Sequence, residues 1–449
     1  LTRYPNDEPA TALRERIGAA QAEQPQKIAF MQNRLFKRWA APLVLFLLSG
    51  ALQARELTVM TWNLGWHMDG ALFNQWLDAC SGRFVRDRND GLWKPNPNGP
   101  ATGWQLKWGR DAPIQWDIAR LPPCDVYQEN RRIVPPTAAA YAKRRHQLAE
   151  VIQRQAPDVI AFQEVSGTAA VLEILPDGGR DYQVCSYEGY SVQRLAFAWR
   201  RTLGDAAEPC VAYAPLSLPA RPPEDRPRPG LTLGLRVDGQ LLRFLNLHLK
   251  SGCVSPLESA DPNGRGQLAG DNSPCLVLQE QLQPLEAWLE QQSQGADRLM
   301  MLGDFNRNLA QEAERPPSEA VRPVGNATDP YRPGVRSSNL WRELNDGQPS
   351  ASKLALVPIR CPGPSASLCE AAKTRRLTED ETNALRNPAA LGCRNPVGLD
   401  GVAISGTATA SAEKVPLGRF GRTRAADRTH PDPLLAVSDH CPLVARWTF

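Results

Sequence analysis

Short apolar runs, each stopping at a polar residue, punctuate this 449-residue chain. Leu57–Met60 leads into Thr61-Trp62-Asn63, Val159–Phe162 into Gln163-Glu164, and Leu241–Leu247 into His248-Leu249-Lys250. Further on, Leu299–Leu302 leads into Gly303-Asp304-Phe305-Asn306, and Leu434–Val437 into Ser438-Asp439-His440. Short continuous apolar runs bounded by polar residues read as buried strands. The end of such a strand places carboxylate, amide and imidazole groups at the mouth of a core, where chemistry is done. Leu399-Asp400-Gly401-Val402 is a weaker instance of the same pattern.

Between these runs the period changes. His146, Leu148, Val151 and Ile152 have helical spacing, and Pro157-Asp158 ends that helix before the Val159 strand. A second helix is expected from about residue 276 to 291, with Leu278, Leu282, Leu285 and Leu289 on one stripe. Tyr182–Tyr187, Arg194–Arg200 and Leu231–Val237 read as hairpin-like strands. Strands alternating with single helices predict an α/β sandwich. Residues 67–140 hold Trp76, Trp93, Trp104, Trp108 and Trp116 among Gly, Pro and Asn, and residues 345–397 carry Cys361, Cys369 and Cys393 with little periodicity. Both stretches are expected to be disulfide-bearing insertions on a single domain spanning 55–449. The tryptophans would form either a small satellite core under a long loop or a stacking surface for bases or a lipid headgroup. Residues 214–230 are Pro-rich and read as a surface connection ending in Arg228-Pro229.

The N-terminal region changes the expected address. Met31 is followed by Arg34, Lys37 and Arg38, the apolar run Trp39–Leu48, and Ser49-Gly50-Ala51. That is the layout of a Sec-type signal peptide over residues 31–54, cleaved after Ala51 or Ala54, with residues 1–30 upstream of it. The apolar run is shorter than the ~20 residues that span a bilayer, so stable membrane insertion is not expected. Ten cysteines, an even number, fit disulfides in an oxidising compartment, and therefore a secreted or periplasmic protein. Cys253 with Cys275, Cys185 with Cys210, and Cys80 with Cys124 are plausible pairs by proximity, while the other four are not assignable. No close Cys-x-x-Cys cluster supports zinc. A formal net charge of +4 does not describe a nucleic-acid coating protein, yet it leaves room for a local basic groove.

Taken in order, Asn63, Glu164, His248, Asp304 with Asn306, Asp400, and Asp439 with His440 form a set that resembles the endonuclease/exonuclease/phosphatase superfamily, which includes deoxyribonuclease I, apurinic/apyrimidinic endonucleases, sphingomyelinases and inositol-polyphosphate phosphatases. The resemblance runs from about Glu56 to Phe449, outside the insertions. It implies a four-layer α/β/β/α sandwich with the site at one end of the paired sheets. It also implies a divalent-metal-dependent phosphodiesterase; the motifs do not separate the substrates, export favours DNA, and no protein partner is implied. A sphingomyelinase-like lipid phosphodiesterase or a phosphatase is the alternative; an inactive module that binds phosphate-bearing ligands is a reading of another class.

Phosphodiester hydrolysis requires an activated water, charge neutralisation and help for the leaving oxygen. Glu164 and Asp439 suit a hard cation, Mg²⁺ or alternatively Mn²⁺ or Ca²⁺, and Asn63 would hold the same ion or its water. Asp304 would take the water's proton or share a metal, and Asn306 would orient the phosphate. By the resemblance His440 is a phosphate donor whose ring Asp400 fixes, and His248 is a second imidazole. Where deoxyribonuclease I-like members carry a glutamate to partner that second histidine, this chain offers Gln193, with Arg194 beside it. Gln193 is expected to hold a mostly neutral His248. A one-residue slip would instead make Arg194 the phosphate-binding residue.

Overall fold

Along the strand Glu56–His67, Leu57 and Val59 face one way while Met60, Trp62 and Leu64 face the other, and both sets are buried. Alternation with both faces covered is the signature of a central strand between two layers. The computed structural model describes residues 55–106, 114–189, 192–258, 266–315, 337–346 and 349–449. The expected signal peptide, the upstream residues and Trp108 lie outside the described residues.

Two sheets stack face to face. The first has seven strands, in the order Ile359–Arg360, Thr409–Lys414, Leu443–Thr448, Glu56–His67, Val159–Val165, Arg194–Arg200 and Tyr182–Ser186. The second has six, in the order Ala206–Tyr213, Gly230–Val237, Gln240–His248, Arg298–Asp304, Asp400–Ser405 and Leu354–Leu356. Phe197, Phe244, Met300 and Trp447 fill the space between them. The helix Ala138–Gln155 covers the outer face of the first sheet through Leu148, Val151 and Ile152. The helix Ser273–Ser293 covers the second through Leu278, Leu282, Leu285 and Leu289. The architecture is the expected α/β/β/α sandwich, and Ala54–Phe449 forms one compact unit.

Two expectations need correction. His146 is exposed; the buried stripe of its helix is Arg144, Gln147, Leu148, Val151 and Ile152, one phase away. Leu434–Val437 is not a strand. It makes one isolated bridge, Arg424 to Leu434, and the carbonyls of Ala436 and Val437 accept from the Arg144 guanidinium at 2.9 and 2.7 Å. A side chain therefore satisfies backbone that a sheet partner would otherwise have to satisfy.

The first insertion is a satellite core. Helix Gly70–Ser81 packs Phe73 and Trp76 against Tyr127 and Tyr141, and the Cys80–Cys124 disulfide closes the loop. Trp76 donates to Pro122 O at 2.9 Å. In the second insertion, helices Ala366–Thr374 and Glu379–Arg386 add Cys369 and Leu385, and the turn after them adds Leu391, to the outer layer that holds Leu148. All ten cysteines are bonded: Cys185–Cys210 and Cys253–Cys275 join the pair above, with Cys361–Cys369 and Cys393–Cys441. Among the described residues no helix is long and apolar enough to cross a membrane.

Candidate active site

Strand register gathers the polar ends. His248 pairs with Asp304 across a parallel ladder, and Asp304 pairs with Asp400 across an antiparallel one. In the other sheet Asn63 stands opposite Gln163, the residue before Glu164. Asp439 and His440 arrive on a loop that is tied in: Ser438 donates to Asn63 O at 2.5 Å, Trp62 Nε1 donates to His440 O at 3.0 Å, and Arg144 donates to Leu64 O and Val437 O at 2.7 Å each.

The backbone is unusual at this point. Glu164 and Asn306 have φ of 57° and 51°, left-handed values that L-residues rarely adopt. The ladder shifts register on both sides of Glu164, between Asn63 and His67 and between Phe162 and Val165. Bulges of this kind re-aim side chains and cluster at functional sites. Gly65 also has positive φ, and a Cβ there would stand 3.0 Å from Asp439 Oδ1, so only glycine lets the aspartate sit this close.

The carboxylates differ in their partners. Asp304 accepts from Asn306 N at 2.8 Å and from Asn63 Nδ2 at 2.9 Å, while Asn63 Oδ1 accepts from Gly65 N. Asp400 Oδ1 lies 2.9 Å from His440 Nδ1, and Asp400 Oδ2 lies 2.5 Å from Lys414 Nζ. Among the described residues His440 Nε2 makes no hydrogen bond, and it faces Asp304 Oδ2 at 3.8 Å. His248 Nε2 sits 3.6 Å from both Glu164 Oε1 and Asp304 Oδ2. Glu164 Oε2 accepts from Trp66 N at 3.1 Å, and Asp439 Oδ2 from Asn395 Nδ2 at 2.9 Å. The Asn306 amide is turned onto Leu249 O at 3.0 Å, so it holds the loop and retains one N–H for another acceptor.

Burial divides these groups electrostatically. Burial and the neighbouring Asp439 push the Glu164 carboxyl up to about 7. Asp304 is raised to about 6, chiefly by burial, against the pull of His440. Burial would raise Asp400 too, but Lys414 and His440 overcome it and hold its carboxyl below the usual range. Burial disfavours the His440 imidazolium, yet Asp400, Asp439 and Asp304 outweigh it and carry the pKa up to about 10. His248 goes the other way: burial, then Arg228 and His440, hold it well below its ordinary value. One imidazole is charged at neutral pH and the other is not.

Among the described residues, Asp304, Asp400 and His440 offer ligand atoms within 4.8 Å of one another. Asp400 in that trio is already neutralised by Lys414 and His440, which makes it a poor cation ligand. Glu164 and Asp439 repel one another, and neither makes an ion pair with lysine or arginine among the described residues. Two carboxylates with uncompensated charge are what a hard divalent ion neutralises, so this pair fits the metal better.

Asn63, Glu164, His248, Asp304, Asn306, Asp400, Asp439 and His440 are thus all brought together. Gln193 does not partner His248, and Arg194 stands opposite Val165, the residue after Glu164. Gln193 precedes its strand with φ of 60°, and no hydrogen bond joins it to His248, whose Nδ1 is buried without a partner. The bulge between Phe162 and Val165 breaks the alternation on which that pairing depended. Arg194 lies against Gly167 and 3.5 Å from Glu188. His248 is neutral as expected, but through burial and Arg228. Lys414, Asn395 and Arg144 were absent from the sequence reading, and Arg228 entered it only as the end of a surface connection. Lys414, the last residue of the Thr409–Lys414 strand, was the one most open to detection, as a lysine on the face of a strand where buried residues recur.

Similar folds occur among solved structures. D. rerio TDP2 humanized by 14 mutations aligns at 12% identity over 87% of this chain and 98% of its own, with a TM-score of 0.37. A Bacteroides thetaiotaomicron protein described as endonuclease/exonuclease/phosphatase family aligns at 12% over 88% and 99%, with a TM-score of 0.40. A mannosyl-6-phosphatase of the same organism aligns at 13% over 69% and 93%, with a TM-score of 0.37. No curated protein sequence matches. The sequence profile of the Endonuclease/Exonuclease/phosphatase family matches residues 60–313, more than half of the chain and the part holding Asn63, Glu164, His248, Asp304 and Asn306. With that match and the four-layer sandwich that gathers these residues at one end, the chain belongs to the endonuclease/exonuclease/phosphatase family, whose members are hydrolases of phosphoester bonds.

Proposed function

We propose that this protein is an exported, divalent-cation-dependent phosphodiesterase that hydrolyses DNA. The observation that carries the reading is the chain of groups Lys414, Asp400 and His440, which ends in an unbonded imidazolium N–H beside Asp304. Five disulfides suit the oxidising compartment that export implies.

Glu164 and Asp439, with the remaining lone pair of Asn63 Oδ1, are the residues that would hold the cation, Mg²⁺ in the first instance. When bound, the ion supplies charge neutralisation at the phosphoryl and leaving oxygens. Asp304 is fixed by the two hydrogen bonds it receives, and its raised pKa makes it a better proton acceptor than an ordinary aspartate while leaving it ionised at neutral pH. It takes the proton of the attacking water. His440 remains an imidazolium and donates from Nε2 to a phosphoryl oxygen, where it opposes the developing negative charge. Neutral His248 orients the phosphate from Nε2, and Asn306 offers its second N–H. Arg228 adds positive charge on the His248 side.

A lipid substrate is less well served. Among the described residues the exposed large apolar side chains, Val85, Ile118, Leu172, Val211 and Leu257, are far apart in the chain. Incubating the mature protein with plasmid DNA, RNA and a phospholipid panel, with and without Mg²⁺, tests the reading. DNA cleavage that stops in chelator is the expected result. Full activity in excess chelator, or turnover of lipid in place of nucleic acid, overturns it.

A further inference from the structure

Beside Asp439 the surface opens into a cleft of 680 Å³ with Arg386, Arg394, Arg419, Arg422 and Arg424 in its walls. The arginines come from two segments outside the catalytic motifs: the end of helix Glu379–Arg386 with the turn after it, and the stretch that follows Leu417. These segments are locked together. A Cβ on Gly392 would stand 2.2 Å from Gly418 O, and one on Gly421 would stand 2.4 Å from Gly392 O, so the two backbones touch. Arg386 Nε donates to Arg394 O at 2.7 Å, and Arg422 donates to Arg386 O at 2.9 Å. The Cys393–Cys441 disulfide then fastens Arg394's neighbour to the residue after His440. The cleft is therefore built onto the catalytic loop.

Its five arginines outnumber the two carboxylates in its wall, Glu129 and Asp439. None of the five arginines forms an ion pair among the described residues. Glu129 accepts from Ala425 N at 3.0 Å. Like charges held together without partners cost stability, and Arg394 and Arg422 add to burial in lowering the proton affinity of Arg386. In a chain whose formal net charge is only +4, this concentration is local. Arginine forks match phosphate oxygens in pairs, and contacts of this kind fix the register of a nucleic-acid strand without reading its sequence.

We propose that this cleft holds the phosphates of the substrate strand that flank the bond being cut, so that the substrate is a nucleic-acid chain several nucleotides long and not a small phosphoester. The proposal rests on the phosphodiesterase reading and adds the substrate's extent and path. A lipid would need apolar wall for its chains, and none of the exposed large apolar residues named above lines the cleft.

The test uses the full mature protein and the variants Arg394→Gln, Arg424→Gln and their combination, because neither side chain makes a hydrogen bond among the described residues. Binding of a fluorescent single strand of about 12 nucleotides, within the span such sites cover, is followed by anisotropy in chelator over a KCl series. The slope of log affinity against log salt should fall in magnitude by about 1.4 in the double variant, roughly 0.7 for each phosphate contact removed from a single strand. With Mg²⁺ present, KM for the oligonucleotide should rise while kcat holds, and turnover of bis(p-nitrophenyl) phosphate should be unchanged. The double Lys variant should keep the salt slope. Unchanged affinity and slope in the double Gln variant overturn the cleft and leave the catalytic reading standing. Failure of the wild type to cleave either diester removes the catalytic reading, and the anisotropy series then reads the cleft by itself. Capture of anionic phosphatidylglycerol vesicles in preference to the oligonucleotide also overturns the proposal.

Discussion

Replacing Lys414 by Met removes the cation that anchors the far end of the Asp400–His440 pair. Lys414 is 1% exposed, its Nζ is 2.5 Å from Asp400 Oδ2, and it reaches Cys441 O at 3.4 Å. At 2.5 Å the gross attraction is about 7 kcal/mol with an effective dielectric constant near 20. Desolvation of both groups offsets much of that, so the pair itself contributes far less than the gross figure. Breaking it from one side is another matter: the carboxylate stays buried with one oxygen unpaired, which costs about 3–5 kcal/mol. Met keeps most of the volume, so packing adds little. For a unit of this size the melting temperature should fall on the order of 5 °C. Urea unfolding with disulfides intact, read by tryptophan fluorescence, measures the loss. Asp400→Asn and the double variant complete the cycle, and the double should be more stable than the sum of the singles by about 2 kcal/mol. Activity should not recover with it, because His440 has then lost the carboxylate that charges it. A loss below about 1 kcal/mol, the value of an exposed pair, or an additive cycle, would refute the reasoning.

Other predictions follow from the same geometry. His440→Ala should lower kcat by ~10²-fold or more, as removal of one oxyanion donor does, and His248→Ala by less; equal losses in steady-state kinetics would contradict the division of charge between them. Activity needs Asp304 deprotonated and His440 protonated, so kcat should rise as pH passes about 6, stay level, and fall only as pH climbs through about 10; a fall beginning near neutrality would count against a charged His440. Glu164 is raised to about 7 from 4.5, so the folded state binds this proton more tightly than the unfolded state, and the metal-free protein loses stability as pH rises through that window. In chelator above that window Glu164→Gln should therefore melt higher than wild type, and Mg²⁺ should raise the melting temperature of wild type more than that of the variant.

The strand ends at Asn63, Glu164, His248 and Asp304 were legible because central strands covered on both faces are continuous apolar runs, whatever their partners. The same logic failed at Leu434–Val437. That run is as apolar as the others, but its carbonyls are satisfied by Arg144, a residue 292 positions away, and nothing local announces it. Arg144 also explains the helix phase. A count of apolar residues places His146 inside and the arginine outside, since the sequence does not distinguish a solvated guanidinium from one with four buried acceptors. The Gln193 assignment assumed a strand register that placed it next to His248, and a bulge opposite broke that register. Three pairings were read from proximity, whereas Cys361–Cys369 and Cys393–Cys441 were left unassigned, the latter because it joins an insertion to the end of the chain.

The division of labour between the two histidines is set by residues outside the motif. His248 and His440 share one pocket, and each has a ring nitrogen within 3.8 Å of Asp304 Oδ2. Position relative to that aspartate therefore does not decide which one is charged. Asp400 bonds His440 and not His248, while Arg228 bears on His248 more strongly than any group except the surrounding protein itself. Asp400 can remain ionised in this buried place because Lys414 is beside it. The acid role thus depends on a lysine at the end of a neighbouring strand, and the neutral role on an arginine in the Pro-rich connection. Titratable groups of one kind driven in opposite directions mark an acid and a neutral partner in one site. A relative that kept every motif residue but lacked Lys414 or Arg228 would share the fold and the metal ligands, yet it would divide the proton affinities differently and work over a different range of pH.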